Sequence, residues 1–249
     1  MNSSQGAILL VEDDLSIRRS LKACLTELHF EVGEASSGED ALMTLRQRSF
    51  DVVLMDLNMP GMGGMEACRR LRKEFPNLSL IVITVRNSED DKVNALEAGA
   101  DDYVTKPFQI RELTARIRAA LRRTRDRVPE PERLIQIGPF ELHLGRRSFK
   151  KNGTEIHLTP TEFDLLAYLM RHAGHPILHS KLLSTVWGPE YGDEREYLRT
   201  YILQLRRKFE EDPAQPVYLK TVNYLGYVFL DTVEMTSSVS DEEKSISSK

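Results

Sequence analysis

Five short apolar runs, AILLV (7–11), EVGEA (31–35), DVVLM (51–55), LIVIT (80–84) and DYVT (102–105), alternate with amphipathic stretches near 15–28, 38–48, 64–74, 88–98 and 109–122. Strands that alternate with helices are confined to parallel pairing, because each helix carries the chain back along the sheet. The pattern predicts a doubly wound α/β sheet covered by helices on both faces. In such sheets, groups that act on ligands collect beyond the C-terminal strand ends. The alternation stops at RTRDRVPEPER (123–133), a charged stretch with two prolines and no apolar period, which reads as a linker.

A second domain of another kind follows. Strand-like pieces at 135–144, 148–150 and 155–158 precede LTPTEFDLLAYLMRH, which carries a full helix-start signal. Thr159 is the N-cap, Pro160 opens the first turn and Glu162 closes a capping box. Further helices fit 179–187 and 194–211, and YLKTVNYLGYVFL (218–230) fits a terminal hairpin. Small strands, three helices and a hairpin describe a winged helix. The expected organisation is a flexible N-terminus (1–5), an α/β domain (6–123), a linker (124–133), an α+β winged-helix domain (134–233) and a polar, disordered tail (234–249).

Length and composition agree with this division. The chain has 249 residues, 41% hydrophobic and 29% charged, enough for two soluble domains. No apolar run approaches the ~20 residues of a membrane span. MNSSQG lacks the basic-then-apolar pattern of a signal peptide. A cytoplasmic protein with no membrane partner is expected. Cys24 and Cys68 are the two cysteines, far apart in helix-like sequence, and read as reduced thiols. The net charge of −4 says nothing of nucleic acid, but RTYILQLRRK (199–208) holds four basic residues and no acid. A locally basic helix is an electrostatic footprint for DNA.

Two strand ends carry acids. Glu12, Asp13 and Asp14 follow the first run and Asp56 follows the third, ends that lie side by side in a doubly wound sheet. Clustered carboxylates repel each other unless a cation enters, and oxygen-only ligands on a wet rim suit Mg²⁺. Thr84 ends the fourth run and Lys106 follows the fifth, so a hydroxyl and an ammonium face the same rim. Together these groups can accept a phosphoryl group: Asp56 attacks, the metal and Lys106 offset charge, and Thr84 hydrogen-bonds a phosphoryl oxygen. A strand-end Asp is also a common helix cap, and EDD a common helix start.

Residues 6–123 resemble the receiver domain of two-component response regulators, through LLVEDD, DVVLMDLNMPGMGGMEACRRLR, IVITVR and ALEAGADDYVTKPF. Residues 134–231 resemble the winged-helix effector domain of the OmpR/PhoB family, through LTPTEFDLL, VWGPEYGDEREYLRTYILQLRRKFEEDP and GYVF. The resemblance implies a flavodoxin-like (βα)5 receiver with Asp56 as phosphoacceptor. It implies Mg²⁺ held by Asp13, Asp56 and the Asn58 backbone carbonyl, with Glu12 as the other member of the acidic pair. Thr84 and Tyr103 match its switch pair, and Lys106 its phosphate-binding lysine. On phosphorylation Thr84 is expected to move inward and Tyr103 to rotate behind it. A symmetric dimer is implied through pairs Lys92–Glu112, Asp101–Arg116 and Asp102–Arg123; solvated charges on a helix face are the plain alternative. The implied partners are a sensor histidine kinase, promoter DNA and RNA polymerase. VWGP and YLRTYILQLRRKFEEDPAQP are most similar to the regulators of high-affinity potassium transport.

In 194–211, Leu198, Ile202, Leu205 and Phe209 form one apolar stripe, with Arg199, Thr200, Gln204, Arg206 and Arg207 opposite. Arginine and glutamine read base edges in the major groove. Some family features are absent. Gly63 stands where Asp is frequent, Val85 where a small residue is usual, and Leu203 where relatives are basic. The hairpin presents Asn223 and Tyr224 in place of Arg-Gly, which leaves Lys220 and Asn223 to reach phosphates. An aspartyl-phosphate hydrolase is disfavoured, because Asn58 stands where its second catalytic acid belongs, so no enzyme is expected. A constitutive DNA-binding protein with a receiver used only for dimerisation is the other alternative.

Overall fold

The structure is a computed structural model that describes residues 5–86, 88–125, 133–189, 191 and 195–231. β1 (Ala7–Val11), β2 (Glu31–Ala35), β3 (Val52–Asp56), β4 (Ser79–Thr84) and β5 (Asp102–Thr105) form a parallel sheet in the order β2-β1-β3-β4-β5. The helices between them are α1 (Leu15–Glu27), α2 (Gly38–Gln47), α3 (Gly64–Glu74), α4 (Glu89–Glu97) and α5 (Ile110–Arg125). The order reverses at β1/β3, which brings the ends of these two strands together as the sequence pattern requires. Central β3 is buried on both faces, so Val52, Val53, Leu54 and Met55 need no alternation. Helix α5 continues to Arg125, two residues into the expected linker; residues 126–132 lie outside the described ones, as do 1–4 and 232–249.

The second domain opens with an antiparallel sheet of β6 (Leu134–Ile137), β7 (Phe140–His143), β8 (Ser148–Lys151) and β9 (Thr154–Ile156). Helix α6 (Pro160–Arg171) starts as expected: Thr159 accepts from the Glu162 backbone N–H while Glu162 accepts from the Thr159 N–H. Then come β10 (Ile177–Leu178), α7 (His179–Val186), α8 (Arg195–Phe209), β11 (Leu219–Val222) and β12 (Gly226–Phe229). The two-residue β10 is too short to show a period, and it pairs with β12 to make a three-stranded sheet. A side chain at Gly226 would stand 1.8 Å from the Ile177 carbonyl oxygen, so this pairing requires glycine there.

The domains are packed on each other. Helix α8 lies against α4, and α5 against α6. One continuous cluster of buried apolar side chains runs from Leu9 in the receiver to Phe229 in the effector domain. Among the described residues no helix is long and apolar enough to cross a membrane.

Candidate functional site

Four buried side chains, Val52 to Met55, fix β3, and its last residue Asp56 reaches the rim while remaining 6% exposed. Gly64 shapes the loop behind it, since a Cβ there would stand 2.4 Å from both the Asp56 carbonyl oxygen and the Leu57 Cα. Gly63 adopts φ +75° and gives α3 no side-chain cap; the loop is tied instead by Met62 N–H donating to Glu39 at 3.1 Å.

Glu12, Asp13 and Asp56 bring carboxylate oxygens within 4.8 Å of one another. Asp14 does what the plainer reading says: it caps α1, accepting from Ser16 and Ile17. Lys106 bridges the cluster, its Nζ 2.7 Å from Glu12 Oε2 and 2.7 Å from Asp56 Oδ2. Burial pulls this ammonium down, but hydrogen bonds to Asp56 and Glu12 more than offset that and hold its pKa above the ordinary 10.5. Burial also raises Glu12 above its ordinary 4.5, and the Asp56 charge adds to the effect against the opposing bond from Lys106. Hard oxygen donors around one point, two of them balanced by a single cation, are a fitting seat for Mg²⁺.

Beside the acids, the Asn58 backbone N–H donates to Asp56 Oδ1 at 3.0 Å. Sequence reasoning assigned only the backbone of Asn58, yet its side chain bridges the rim. Its Nδ2 donates to Thr84 Oγ1 at 3.2 Å, and its Oδ1 accepts from Arg86 Nε at 3.1 Å. Thr84 is buried and accepts from Asn58 and from the Arg86 N–H. Val85 next to it is 63% exposed at the mouth. Tyr103 is already turned in and buried, its hydroxyl donating to the Arg86 carbonyl. The ring thus stands inward in this structure, where it has a hydrogen-bond acceptor and a covered face. Its phenol is pushed up to about 12, by burial first and by Asp91 second, so it remains a donor.

Four of the charges assigned to a dimer, Asp101, Asp102, Glu112 and Arg116, are paired within the chain. Asp101 and Asp102 are buried under the effector domain. Asp101 pairs with Arg72 at 2.5 Å and accepts from the Leu80 N–H and from the Thr161 N–H at the start of α6. Asp102 pairs with Arg116 at 3.1 Å and accepts from the hydroxyls of Tyr191 (2.5 Å) and Tyr197 (3.0 Å). Arg116 also pairs with Glu112 on its own helix and lies over the Tyr191 ring. Within one chain Asp101 therefore meets Arg72 and Asp102 meets Arg116, contacts that would have to open for the expected pairs between two chains. A buried carboxylate must be matched at once by the nearest cations. Lys92 is half-buried on α4, and the Arg123 side chain lies outside the described ones.

On α8 the expected stripe of Leu198, Ile202, Leu205 and Phe209 is fully buried. Tyr197 and Tyr201 extend it onto the receiver, where the Tyr201 hydroxyl donates to the Ala100 carbonyl at 3.0 Å. Of the proposed reading residues, Arg199 is open to solvent and bonded weakly to Glu196. Thr200 is buried and donates to the Glu196 carbonyl, so it is no surface residue here. Gln204 is half-buried. Arg206 anchors the hairpin, donating to the Leu219 carbonyl and Thr221 Oγ1. Arg207 is held by receiver Glu97 at 2.9 Å. Lys220 is half-buried and Asn223 exposed. Sequence reasoning missed the three interface tyrosines; their spacing at 197 and 201, one turn apart beside the apolar stripe, was the available signal.

Residues 8–118 match the family described as response regulator receiver domain, and residues 153–229 that described as transcriptional regulatory protein, C terminal. The chain is 41% identical over 222 residues to the transcriptional regulatory protein KdpE of Mycobacterium tuberculosis, spanning 89% of this chain and 98% of that one. It is 42% identical over 223 residues to the sensory transduction protein RegX3 of Mycolicibacterium smegmatis, spanning 89% and 97%. Among solved structures, a RitR mutant superposes with a TM-score of 0.72 at 26% identity, covering 90% of this chain and 98% of that one.

Proposed function

This chain belongs to the OmpR/PhoB-type response regulators, and from that premise we propose how its own residues work. It is a phosphorylation-dependent regulator of transcription with a receiver and a DNA-binding domain. The reading of the site rests on one observation above the others: Lys106 is bonded at once to Asp56 and Glu12, beside Asp13. An Asp56 carboxylate oxygen attacks the phosphorus of a phosphohistidine on the partner kinase. The P–O bond forms as the P–N bond breaks, and its electron pair leaves on the imidazole nitrogen, which takes a proton. Lys106 exchanges a carboxylate partner for a phosphoryl oxygen. Among the described residues Thr84 Oγ1 only accepts hydrogen bonds, so its hydrogen is available to another phosphoryl oxygen. Asp13, Asp56 and the Asn58 carbonyl would hold Mg²⁺ near Glu12, and the ion would neutralise phosphoryl charge. The protein is a switch that takes up one phosphoryl group, not an enzyme of turnover, and it works in the cytoplasm.

The output follows from the packed domains. Asp101, Asp102 and Arg116 serve the closed chain and are the groups proposed for the dimer, so the two arrangements compete. Phosphorylation favours release of α8 and pairing of two receivers, and two effector domains then bind adjacent sites near RNA polymerase with raised effective concentration. Potassium-transport genes are our proposal for the target, on the likeness of VWGP and YLRTYILQLRRKFEEDPAQP. RegX3 matches as well as KdpE, so a regulon of the RegX3 kind is the competing reading. Treatment with a small phosphodonor and Mg²⁺ tests the switch. A mass shift on Asp56 with tighter DNA binding is expected, both lost in Asp56→Asn. Steady release of phosphate would mark a hydrolase, and absence of any shift a constitutive binder.

A further inference from the structure

Away from the phosphoryl site, a cavity of about 710 Å³ lies between the two domains. That is the size of sites that enclose small ligands. The receiver lines it with Arg122 of α5 and with Asn77, which precedes β4. The effector domain lines it with the β7–β8 turn, β9 and one side of α6. Neither phosphoryl transfer nor DNA reading uses these residues.

Its charge is one-sided. Four arginines line the cavity, Arg122, Arg146, Arg147 and Arg171, against two acids, Asp164 and Glu155. Asp164 is bonded to Arg147 at 2.7 Å, and Glu155 stands opposite Lys150 in the β8–β9 ladder. Among the described residues, Arg122 has no ion-pair partner. Cations gathered around one space repel each other until an anion enters.

The β7–β8 turn is held rigidly in this wall. Arg147 has φ +49°, in the left-handed region, and its N–H closes the turn on the Leu144 carbonyl at 3.3 Å. Glycine is the ordinary occupant of such a hairpin position. Arginine keeps it through α6: besides Asp164, its guanidinium donates to the Pro160 carbonyl at 2.9 Å and lies over the Phe163 ring at 4.4 Å. The turn is thereby fixed to the start of α6, with Arg146 beside it on the cavity wall. Further along α6, half-buried Tyr168 adds a flat ring to the same wall.

We propose that this cavity binds a nucleotide carrying a chain of phosphates, seated between the domains. Planar guanidinium groups suit phosphate oxygens, which they can grip two at a time. Cations on α5, on the β7–β8 turn and on α6 bracket more than one phosphate, and the Tyr168 ring gives a base a face to stack on. The ligand touches both domains, so the closed chain holds it best and is stabilised by it. It thus opposes opening by phosphorylation. That regulatory sense, but not the site itself, rests on the reading above in which the active form opens.

The test is calorimetric titration of the unphosphorylated full-length chain with ATP, GTP, tripolyphosphate and adenosine, in EDTA to keep metal off the acidic rim. A nucleoside triphosphate should bind and raise the melting temperature, tripolyphosphate should bind more weakly, and adenosine should not bind. Arg122→Ala changes an exposed side chain and should melt as wild type without ligand, yet bind the nucleotide about tenfold more weakly. Arg199→Ala, which removes an exposed arginine on α8, should bind it as wild type. Tyr168→Leu should bring the nucleotide down to the level of tripolyphosphate. Absence of binding, or equal losses in Arg122→Ala and Arg199→Ala, would overturn the site, the second by showing diffuse attraction of anions. Tripolyphosphate bound as tightly as the nucleotide would overturn the nucleotide as occupant and leave an inorganic polyphosphate. In the phosphorylated wild-type chain the nucleotide should weaken DNA binding about fivefold or more, an effect reduced in Arg122→Ala. If the nucleotide binds at Arg122 and DNA affinity does not respond, the opening reading fails and the site stands.

Discussion

Asp56 ends a strand of four wholly buried side chains, and its neighbours are set by backbone approach as much as by charge. Gly64 shows this. Alanine there would collide with the Asp56 carbonyl, so Gly64→Ala should lose about 1–3 kcal/mol of stability and most phosphoryl uptake, measured by thermal melting and by label on Asp56. Glu12 gives a dependence on pH. A carboxyl whose folded pKa lies above its unfolded value contributes most at low pH, and its contribution falls as pH rises through the folded value. Burial raises Glu12 above 4.5, so the metal-free chain loses stability from this group as pH climbs from there. Mg²⁺ binds the ionised form, and the gap in melting temperature with and without Mg²⁺ should widen over the same range. A gap independent of pH would remove Glu12 from the site. Asp56, Glu12, Asp13 and Lys106 were legible because each stands at a strand end. The side-chain bridge from Asn58 to Thr84 and Arg86 was not, because it depends on how surface side chains turn.

At the scale of elements, each helix and strand of the receiver follows from its period, with shifts of a residue or so at the ends, save α5, which runs on to Arg125. The capping box of α6 is present as spelled. Helix α8 shows where periodicity stops informing. Its apolar stripe was plain, but Tyr197 and Tyr201 lie on the flank, where an amphipathic helix alone reads as half-exposed. Burial and the Asp102 charge hold the Tyr197 phenol well above its ordinary pKa of 10, so it stays a donor to Asp102. Tyr197→Phe keeps the ring and removes that bond, a loss of about 0.5–1.5 kcal/mol from the closed form. Unphosphorylated Tyr197→Phe should then bind DNA about 2–10-fold more tightly than wild type in a fluorescence-anisotropy titration. Unchanged affinity would mean that this contact does not restrain α8.

For the whole molecule, the proposed reading has phosphorylation at Asp56 and DNA binding at α8 act on one interface. Coupling between two binding events is reciprocal. If phosphorylation tightens DNA binding by some factor, DNA should shift the phosphorylation equilibrium with a reversible donor by the same factor. Trp187, the one tryptophan of the chain, is buried against Tyr197 and Tyr201 at centroid distances of 5.5 and 5.1 Å. Its emission should move to the red as the domains part, on phosphorylation and on DNA addition alike. A spectrum unmoved by either would argue that the closed arrangement persists in the active state.

The amino-acid sequence by itself determined the two folds, the rim on which the acids meet and the stripe that buries α8. Those features come from local period and from strand ends, and a few neighbouring residues suffice to specify them. Tertiary structure decided which charges on the β5 rim find partners and of what kind. Asp102 and Tyr191 are 89 residues apart, and no local pattern links them. On the proposed reading, their contact depends on the balance between burying one face against the effector domain and leaving it for a second chain. That balance is a small difference between large packing and desolvation terms, and it is a property of the assembled surfaces.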